Sequence, residues 1–137
     1  MQHEEVPRLN HIKNTVWKEV CEKYNLNSII IFGSILTEEF HEGSDIDIAV
    51  LGAGKLSLKE ILTLEMFFED LLERPIDVID LKSEGLDLFI KINILNTGVS
   101  VYTTDDRQSL EQMIDEVEIY YRDNETFFYF RRKDLLS

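Results

Sequence analysis

Short apolar runs alternate with longer amphipathic stretches along this chain. Residues 8–24 carry apolar side chains at i, i+3 and i+4 spacing, which predicts a helix that packs by one face. The β-branched and aromatic run 28–32 predicts a strand buried on both faces, and a turn follows at Gly33 and Ser34. Residues 45–51 predict a second strand with a hydrophobic face.

The same alternation continues through the second half of the chain. Ser57 and Glu60 have the spacing of a capping box, which predicts that a helix begins at residue 58 and runs to about 73. Its core-facing stripe is predicted to contain six residues: Leu58, Ile61, Leu62, Met66, Phe67 and Leu71. Pro75 suits the first position of a strand but not its middle, so a third strand is predicted over 76–81.

Three more elements complete the predicted order. They are a helix over 85–96 that stops at Gly98, a strand over 99–102, and a long helix over about 105–135 that Asn124 would interrupt. Strands that alternate with helices indicate an α/β fold in which helices pack on a small sheet, and the strand order stays open. Residues 127–130 are all aromatic, so they either pack under the domain or contact another chain.

Composition narrows the class of protein. The 137 residues, 44% of them hydrophobic, suit a single domain over 1–137 with one substantial core. The 14 basic and 27 acidic residues give a net charge of −13, which repels nucleic-acid phosphates and favours a basic partner. Cys21 is the only cysteine, and no apolar run resembles a signal peptide or membrane span, so we expect a cytoplasmic protein without a membrane partner.

Two aspartates on the predicted second strand are the main candidates for chemistry. Asp45 and Asp47 alternate with Ile46, so both carboxylates lie on one face of the strand. Carboxylates this close repel each other, and Mg²⁺, which prefers oxygen ligands, relieves the repulsion. An isolated Asp-x-Asp is usually a solvated loop, so the neighbouring residues must decide between the two interpretations.

The turn at Gly33 and Ser34 favours the metal site. It follows an apolar strand, so backbone N–H groups and the Ser34 hydroxyl can bind a phosphate that glycine allows to come close. A third carboxylate would complete a site for two metal ions. The predicted third strand offers Asp77 and Asp80 on opposite faces, so only one of them can join.

Gly33-Ser34, ten intervening residues and then Asp45-Ile46-Asp47 resemble the G-S-x10-D-x-D signature of the DNA polymerase beta-like nucleotidyltransferase superfamily. Given its short length, the chain is most similar to the minimal nucleotidyltransferase antitoxins (MNT, MntA-type) that pair with HEPN toxins. The resemblance covers a core of about 25–103, and the flanking helices 8–24 and 105–135 agree only in length and placement. It implies a polymerase beta-like fold: a small mixed sheet, flanking helices and a long C-terminal helix.

The resemblance also implies roles for five residues. Gly33 and Ser34 would hold the triphosphate of ATP, and Asp45 and Asp47 would ligate two Mg²⁺ ions. In relatives the third carboxylate begins the strand that resembles Ile-Asp-Val-Ile-Asp-Leu, which selects Asp77 as the remaining catalytic and metal-binding residue. Many relatives continue the turn as Gly-Ser-x-Ala-Arg-Gly, whereas this chain continues as Ile-Leu-Thr-Glu and carries no arginine there.

The function that the resemblance implies is that of an antitoxin. It would transfer AMP from ATP to a tyrosine hydroxyl of a HEPN ribonuclease toxin, with which it would form a hetero-oligomer. Two alternatives stay open. The chain could silence the toxin by binding alone, or it could transfer a nucleotide to a small molecule, although relatives of that kind usually carry an additional substrate-binding domain.

Overall fold

The computed structural model describes residues 9, 12–41, 43–127 and 129. The elements in chain order are α1 (Asn14–Tyr24), β1 (Leu26–Phe32), a 3-10 helix (Gly33–Leu36), β2 (Ile46–Gly52), α2 (Leu58–Leu72), β3 (Ile76–Asp80), α3 (Leu88–Thr97), β4 (Val99–Thr103) and α4 (Gln108–Asp123). The predicted α/β fold with helices on a small sheet is confirmed. Within the described part of the chain, no helix is long and apolar enough to cross a membrane.

The four strands form one mixed sheet in the order β3-β2-β1-β4. β1 is antiparallel to β2 and to β4, while β2 and β3 are parallel and are joined through α2. Asp47 of β2 lies opposite Phe32 of β1 on one side and opposite Asp77 of β3 on the other. The end of β1 and the beginnings of β2 and β3 therefore meet at one end of the sheet.

Side chains from both faces of the sheet are buried, as predicted for β1. Ile29 and Ile31 pack with α1 and α2, where the rings of Trp17 and Phe68 lie 5.8 Å apart, whereas Ile30 and Phe32 pack with α3 and α4. Burying an aliphatic side chain of this size contributes roughly 1.5–3 kcal/mol. The sheet is thus the central layer, with one hydrophobic core on each side.

Cys21 belongs to the core between α1 and the sheet. It is buried, and burial raises the pKa of its thiol to about 11. The nucleophilic form of cysteine is the thiolate, so a raised pKa makes this side chain unreactive at neutral pH. Cys21 is a small core residue.

The predicted first helix is interrupted near its start. Lys13 has extended backbone angles (φ −68°, ψ 146°), so α1 begins at Asn14. Leu9 is buried and has helical geometry, and residues 8, 10 and 11 lie outside the described range. The apolar period crosses residue 13 without a break, and for this reason the period alone predicted one continuous helix.

Of the six residues predicted to face the core from α2, only Ile61 and Leu71 pack against it, and both are partly buried. Leu64, Phe68 and Leu72 face the sheet and are fully buried, whereas Leu58, Leu62, Met66 and Phe67 are 71%, 50%, 65% and 40% exposed. The helix carries apolar residues around most of its circumference, so helical spacing fits more than one stripe. The capping box that was predicted at its start is confirmed, since Ser57 and Glu60 bond to each other's backbone N–H.

The last two helices begin three residues later than predicted. Asp87 accepts hydrogen bonds from the N–H groups of Phe89 and Ile90, so it precedes α3 as a cap. At α4 the N-cap is Arg107, which makes no side-chain cap bond, and Asp105 two residues before it accepts from the N–H of Ser109 instead. Asp and Asn are typical of the position just before a helix, where they satisfy N–H groups that have no partner within the helix.

α4 ends where Asn124 was predicted to interrupt it. Asn124 is the C-cap, and its N–H donates to the carbonyls of Tyr120 and Tyr121. Of the aromatic run 127–130, Phe127 and Tyr129 are described and are 63% and 58% exposed. The other two residues of that run, and the predicted helix beyond Tyr129, lie outside the described residues.

β3 lies at an edge of the sheet, and side chains of α2 cover its outer backbone groups. Glu65 Oε2 accepts a hydrogen bond from the N–H of Val78 at 2.9 Å, and Glu69 Oε2 accepts one from the N–H of Ile76 at 3.4 Å. Unpaired N–H groups along an edge strand are a template for further strand pairing. Two of the many acidic residues therefore complete the sheet rather than serve only as surface charge.

Candidate active site

The turn at Gly33 lies directly against the Asp47 carboxylate. Gly33 has φ +82°, in the left-handed region that favours glycine. A Cβ atom built at Gly33 would overlap Asp47 Oδ2. The missing side chain therefore lets the backbone of the predicted phosphate-binding turn and the predicted metal ligand come into contact.

Thr37 braces this turn from the position where many relatives carry arginine. Its Oγ1 donates a hydrogen bond to the Ser34 carbonyl at 2.9 Å and accepts one from the Glu39 N–H at 3.2 Å. The Thr37 N–H also donates to the Ser34 carbonyl at 2.9 Å. The turn is held by neutral hydrogen bonds, so the positive charge of the absent arginine is not needed for its shape.

Three predicted metal ligands lie together at this end of the sheet. Asp45 immediately precedes β2, Asp47 is half-buried within it, and Asp77 lies beside Asp47 in β3. Burial raises the pKa of the Asp47 carboxyl, and the negative charges of Asp77 and Asp45 raise it further. A carboxylate that is desolvated and repelled in this way is suited to bind a cation.

The three carboxylates share one region without forming a closed ligand set. Among the described residues, no three His, Cys, Asp or Glu side chains converge closely enough to hold a metal ion. The site nevertheless suits Mg²⁺ in two respects. The three aspartates offer the oxygen ligands that Mg²⁺ prefers, and the negative charges of Asp45 and Asp77 act on the half-buried Asp47.

Asp80, the alternative third carboxylate, is placed elsewhere. It is 3% exposed, and it accepts hydrogen bonds from the N–H of Leu56 at 2.7 Å and of Lys82 at 2.9 Å. Its partner across the strands is Val50, three residues along β2 from Asp47. The structure thus groups Asp77 with Asp45 and Asp47, whereas Asp80 fixes the two loops at the opposite end of the sheet.

The family of the chain follows from its sequence. The family model described as "Polymerase beta, Nucleotidyltransferase" matches residues 16–107, two thirds of the chain and all five predicted site residues. The chain belongs to this nucleotidyltransferase family. The resemblance drawn from Gly33-Ser34 and Asp45-x-Asp47 is confirmed at the level of the family.

Curated relatives of this nucleotidyltransferase come from the archaeon Methanocaldococcus jannaschii. Three of them bear the name "Putative protein adenylyltransferase", and two of these span the range of identity. One is 45% identical over 62 residues, which cover 45% of this chain and 63% of the relative, less than two thirds of its length. The other is 35% identical over 94 residues, which cover 68% of this chain and 97% of the relative.

Solved structures share the fold of this nucleotidyltransferase at low sequence identity. A chain of a toxin–antitoxin complex with AMP-PNP has a TM-score of 0.73 and 21% identity, over 92% of this chain and 100% of that chain. A chain from the complex of a tri-AMPylated Shewanella oneidensis HEPN toxin with an MNT antitoxin has a TM-score of 0.70 and 20% identity, over 97% and 99%. The predicted fold, a small mixed sheet with flanking helices as in the minimal nucleotidyltransferases, is confirmed.

One groove in the described part of this nucleotidyltransferase lies away from the aspartates. It has a volume of about 830 Å³, lies between α3 and α4, and has both apolar and charged walls. None of the five predicted site residues lines it. We place the candidate site at the aspartates, because charge and backbone geometry identify a phosphate and metal site better than concavity does.

Sequence analysis missed one basic residue beside the site. Arg74 Nη2 donates hydrogen bonds to the carbonyls of His41 at 2.6 Å and Ser44 at 2.7 Å. Its guanidinium carbon lies 4.6 Å from the centroid of the Phe40 ring. The available signal was its position three residues before Asp77, which is too common a feature to single it out.

Replacing Asp80 by alanine is expected to reduce stability and to spare the chemistry. The change leaves the partly buried N–H groups of Leu56 and Lys82 without their acceptor, at a cost of about 1 kcal/mol in the free energy of unfolding. Urea unfolding followed by circular dichroism measures this loss. Nucleotide transfer per folded molecule should stay at the wild-type level, and a selective loss of transfer would place Asp80 in the active site after all.

Proposed function

We propose that this chain is an antitoxin that transfers AMP from ATP to a tyrosine hydroxyl of a cognate HEPN ribonuclease toxin and so neutralises it. The observation that carries the proposal is the contact of the Gly33 turn with Asp47, with Asp45 and Asp77 beside it. The names of the relatives add support, because they describe protein adenylylation and toxin–antitoxin pairs. The acceptor would then be a protein.

In this proposal the chain binds ATP and two Mg²⁺ ions through five residues. Gly33 and Ser34 hold the triphosphate by backbone N–H groups and a hydroxyl, and Asp45, Asp47 and Asp77 ligate the metal ions. When bound, the two ions lower the pKa of the acceptor hydroxyl and neutralise the charge of the departing pyrophosphate. The chain itself supplies alignment, since β1, β2 and β3 fix the turn and the carboxylates on one rigid sheet.

The transfer is a single displacement at the α-phosphorus. The tyrosine oxygen forms a bond to that phosphorus, the bond from the α-phosphorus to the β-phosphate oxygen breaks, and pyrophosphate leaves with its electron pair. Asp77, which is exposed and lies beside Asp47, either accepts the hydroxyl proton or acts only as a ligand, in which case the proton passes to water. Water as the acceptor would instead hydrolyse ATP to AMP.

The net charge of −13 supports a basic protein partner. A ribonuclease must bind RNA phosphates and is commonly basic where it does so, which gives complementary charge across a complex. We propose a hetero-oligomer of one minimal nucleotidyltransferase domain, residues 1–137, with the toxin in the cytoplasm. Direct nucleic-acid binding and a membrane role are not part of the proposal.

A second candidate is inhibition of the toxin by binding alone. The observation that favours it is Thr37, which occupies the position of the arginine present in many relatives. In that case the nucleotide site would be a remnant, and the complex itself would silence the toxin.

One experiment separates the two candidates. The chain is purified with the product of the neighbouring gene, Mg²⁺ and ATP are added, and the intact mass of the partner is measured. The proposal predicts adenylyl mass gain with the wild type and none with an Asp45→Ala/Asp47→Ala variant. An Asp70→Asn variant, which removes an exposed carboxylate from α2, is the matched control and should behave as the wild type.

The contrary outcome is equally clear. If the wild type adds no mass while the double variant still inhibits the partner's ribonuclease activity, the chain acts by binding and the transfer mechanism is wrong. Mass gain on a small molecule in a cell extract, with none on the partner, would favour the third alternative.

A further inference from the structure

Arg74 connects two parts of the chain that carry different candidate ligands. It lies just before Pro75 at the start of β3, and Asp77 follows three residues later. Its two hydrogen bonds reach the carbonyls of His41 and Ser44, and Ser44 is the residue immediately before Asp45. One side chain thus spans from the strand of Asp77 to the segment that delivers Asp45.

In the segment 40–44, Phe40 is buried in the core, and the described residues after it bond to one another over short range. Ser44 N–H donates to the His41 carbonyl at 2.9 Å, His41 N–H donates to Ser44 Oγ at 3.1 Å, and Gly43 N–H donates to His41 Nδ1 at 3.0 Å. Glu42 lies outside the described residues. Arg74 therefore supplies the long-range bonds that fix this local turn to the sheet.

The connection that Arg74 makes is fixed at both ends, at the buried Phe40 ring and at the start of β3. The Arg74 guanidinium packs on the ring of Phe40, which belongs to the core between α1, α2 and the sheet and is 9% exposed. Next to it, Ile46 N–H donates to the Pro75 carbonyl at 2.9 Å and begins the pairing of β2 with β3. The pairing of β2 with β3 begins at Ile46, and Arg74 continues the connection between the two strands to the residues before Asp45.

We propose that Arg74 is a positioning residue that holds Asp45 beside Asp77, and that it acts through the backbone of residues 41 and 44. This inference rests on the proposed metal site but concerns a residue outside the ligand set. A planar guanidinium can stack on an aromatic ring while it donates two hydrogen bonds, whereas lysine can supply the donors but not the stacking. The bonds of Arg74 are separate from those of Thr37. Arg74 links the segment 40–44 to β3, whereas Thr37 holds the turn at Gly33.

The test measures Mn²⁺ binding by electron paramagnetic resonance, with no partner and no turnover. Loss of a residue that orients a metal ligand typically weakens metal affinity by about 10–100-fold, so we expect a loss in that range for Arg74→Met and a smaller one for Arg74→Lys. The control is Arg107→Met, which removes an arginine beside Thr103, at the other end of the sheet. Its affinity for Mn²⁺ should equal that of the wild type.

Amide hydrogen exchange supplies a second measurement on the same proteins. In both Arg74 variants, the N–H groups of His41 and Ser44 should exchange faster than in the wild type, while those of β1 should not. Wild-type Mn²⁺ affinity in Arg74→Met would overturn the proposal. If that variant does not fold, Arg74→Lys decides, and wild-type affinity together with wild-type exchange would then overturn it.

Failure of the proposed function gives a different pattern. A wild-type chain that binds no Mn²⁺ would remove the metal site, and the exchange of His41 and Ser44 would still report whether Arg74 holds the segment. A wild-type chain that binds Mn²⁺ but modifies no partner would leave the role of Arg74 intact and would refute the transfer reaction.

Discussion

Replacement of Asp47 by asparagine is expected to stabilise the metal-free protein while it removes adenylyl transfer. Burial and the charges of Asp77 and Asp45 all oppose the ionised form of Asp47 in the folded chain. Asparagine is neutral and nearly isosteric, so it relieves both costs at once. It also removes a proposed metal ligand. Loss of a residue that only orients a ligand costs up to ~100-fold, so loss of the ligand itself should reduce transfer by more than that.

The stability gain has a defined pH dependence. Because the pKa of Asp47 is raised in the folded state, the folded chain binds this proton more tightly than the unfolded chain does. The wild type should therefore lose stability relative to Asp47→Asn as the pH rises through that raised pKa, and the two should converge at lower pH. Thermal unfolding of both proteins in EDTA, from pH 3 upwards, measures the difference.

Mg²⁺ and ATP should reverse the order of stability. A ligand present at about 100 times its dissociation constant stabilises a protein by about 2.7 kcal/mol, and only the wild type can gain this. Asp70→Asn again serves as the control for loss of one carboxylate. An Asp47→Asn variant that is less stable than the wild type in EDTA would show that Asp47 has a structural rather than a metal-binding role.

Replacement of Gly33 by alanine is expected to impair both folding and transfer. The left-handed backbone at φ +82° costs an L-residue roughly 1–2 kcal/mol. The added Cβ would also overlap Asp47 Oδ2, so the carboxylate or the turn must move. Displacement of a catalytic group by about 1 Å can cost ~100-fold in rate, and we expect a loss of that order.

Gly54→Ala is the matched control for this glycine. A Cβ at Gly54 would meet no atom within 4 Å, and its backbone lies outside the left-handed region. Its stability in urea and its transfer rate should therefore match the wild type or slightly exceed it. If Gly33→Ala also behaved as the wild type in both measurements, the turn would not be in contact with the site in solution.

The sequence was sufficient for several features that neighbouring residues determine, although it placed the start of α3 three residues too early, before the cap at Asp87. The alternation of Asp45, Ile46 and Asp47 predicted their faces, and the capping box predicted the start of α2. The grouping of Asp77 with Asp47 follows from the register of two parallel strands joined through α2. A local pattern could only leave Asp77 and Asp80 as alternatives, and it was the resemblance to a family that selected between them.

Long-range contacts explain most of what the sequence did not predict. The buried stripe of α2 depends on which side of the helix meets the sheet, and apolar residues around most of its circumference fit more than one stripe. The contacts of Arg74 join residues 30 and 33 positions apart and end on backbone carbonyls. Backbone acceptors are present at every residue, so no sequence pattern could have indicated these two.

The carboxylates that cover β3 limit how this protein can assemble. Glu65 and Glu69 already accept hydrogen bonds from N–H groups that an incoming β-strand would need, so a peptide or a further copy of the chain could lengthen the sheet there only if these two side chains moved away. Recognition by strand addition and fibril growth are thereby disfavoured on this side. A partner that approaches there must bind through the exposed side chains of the helix, among them Leu58, Leu62 and Met66.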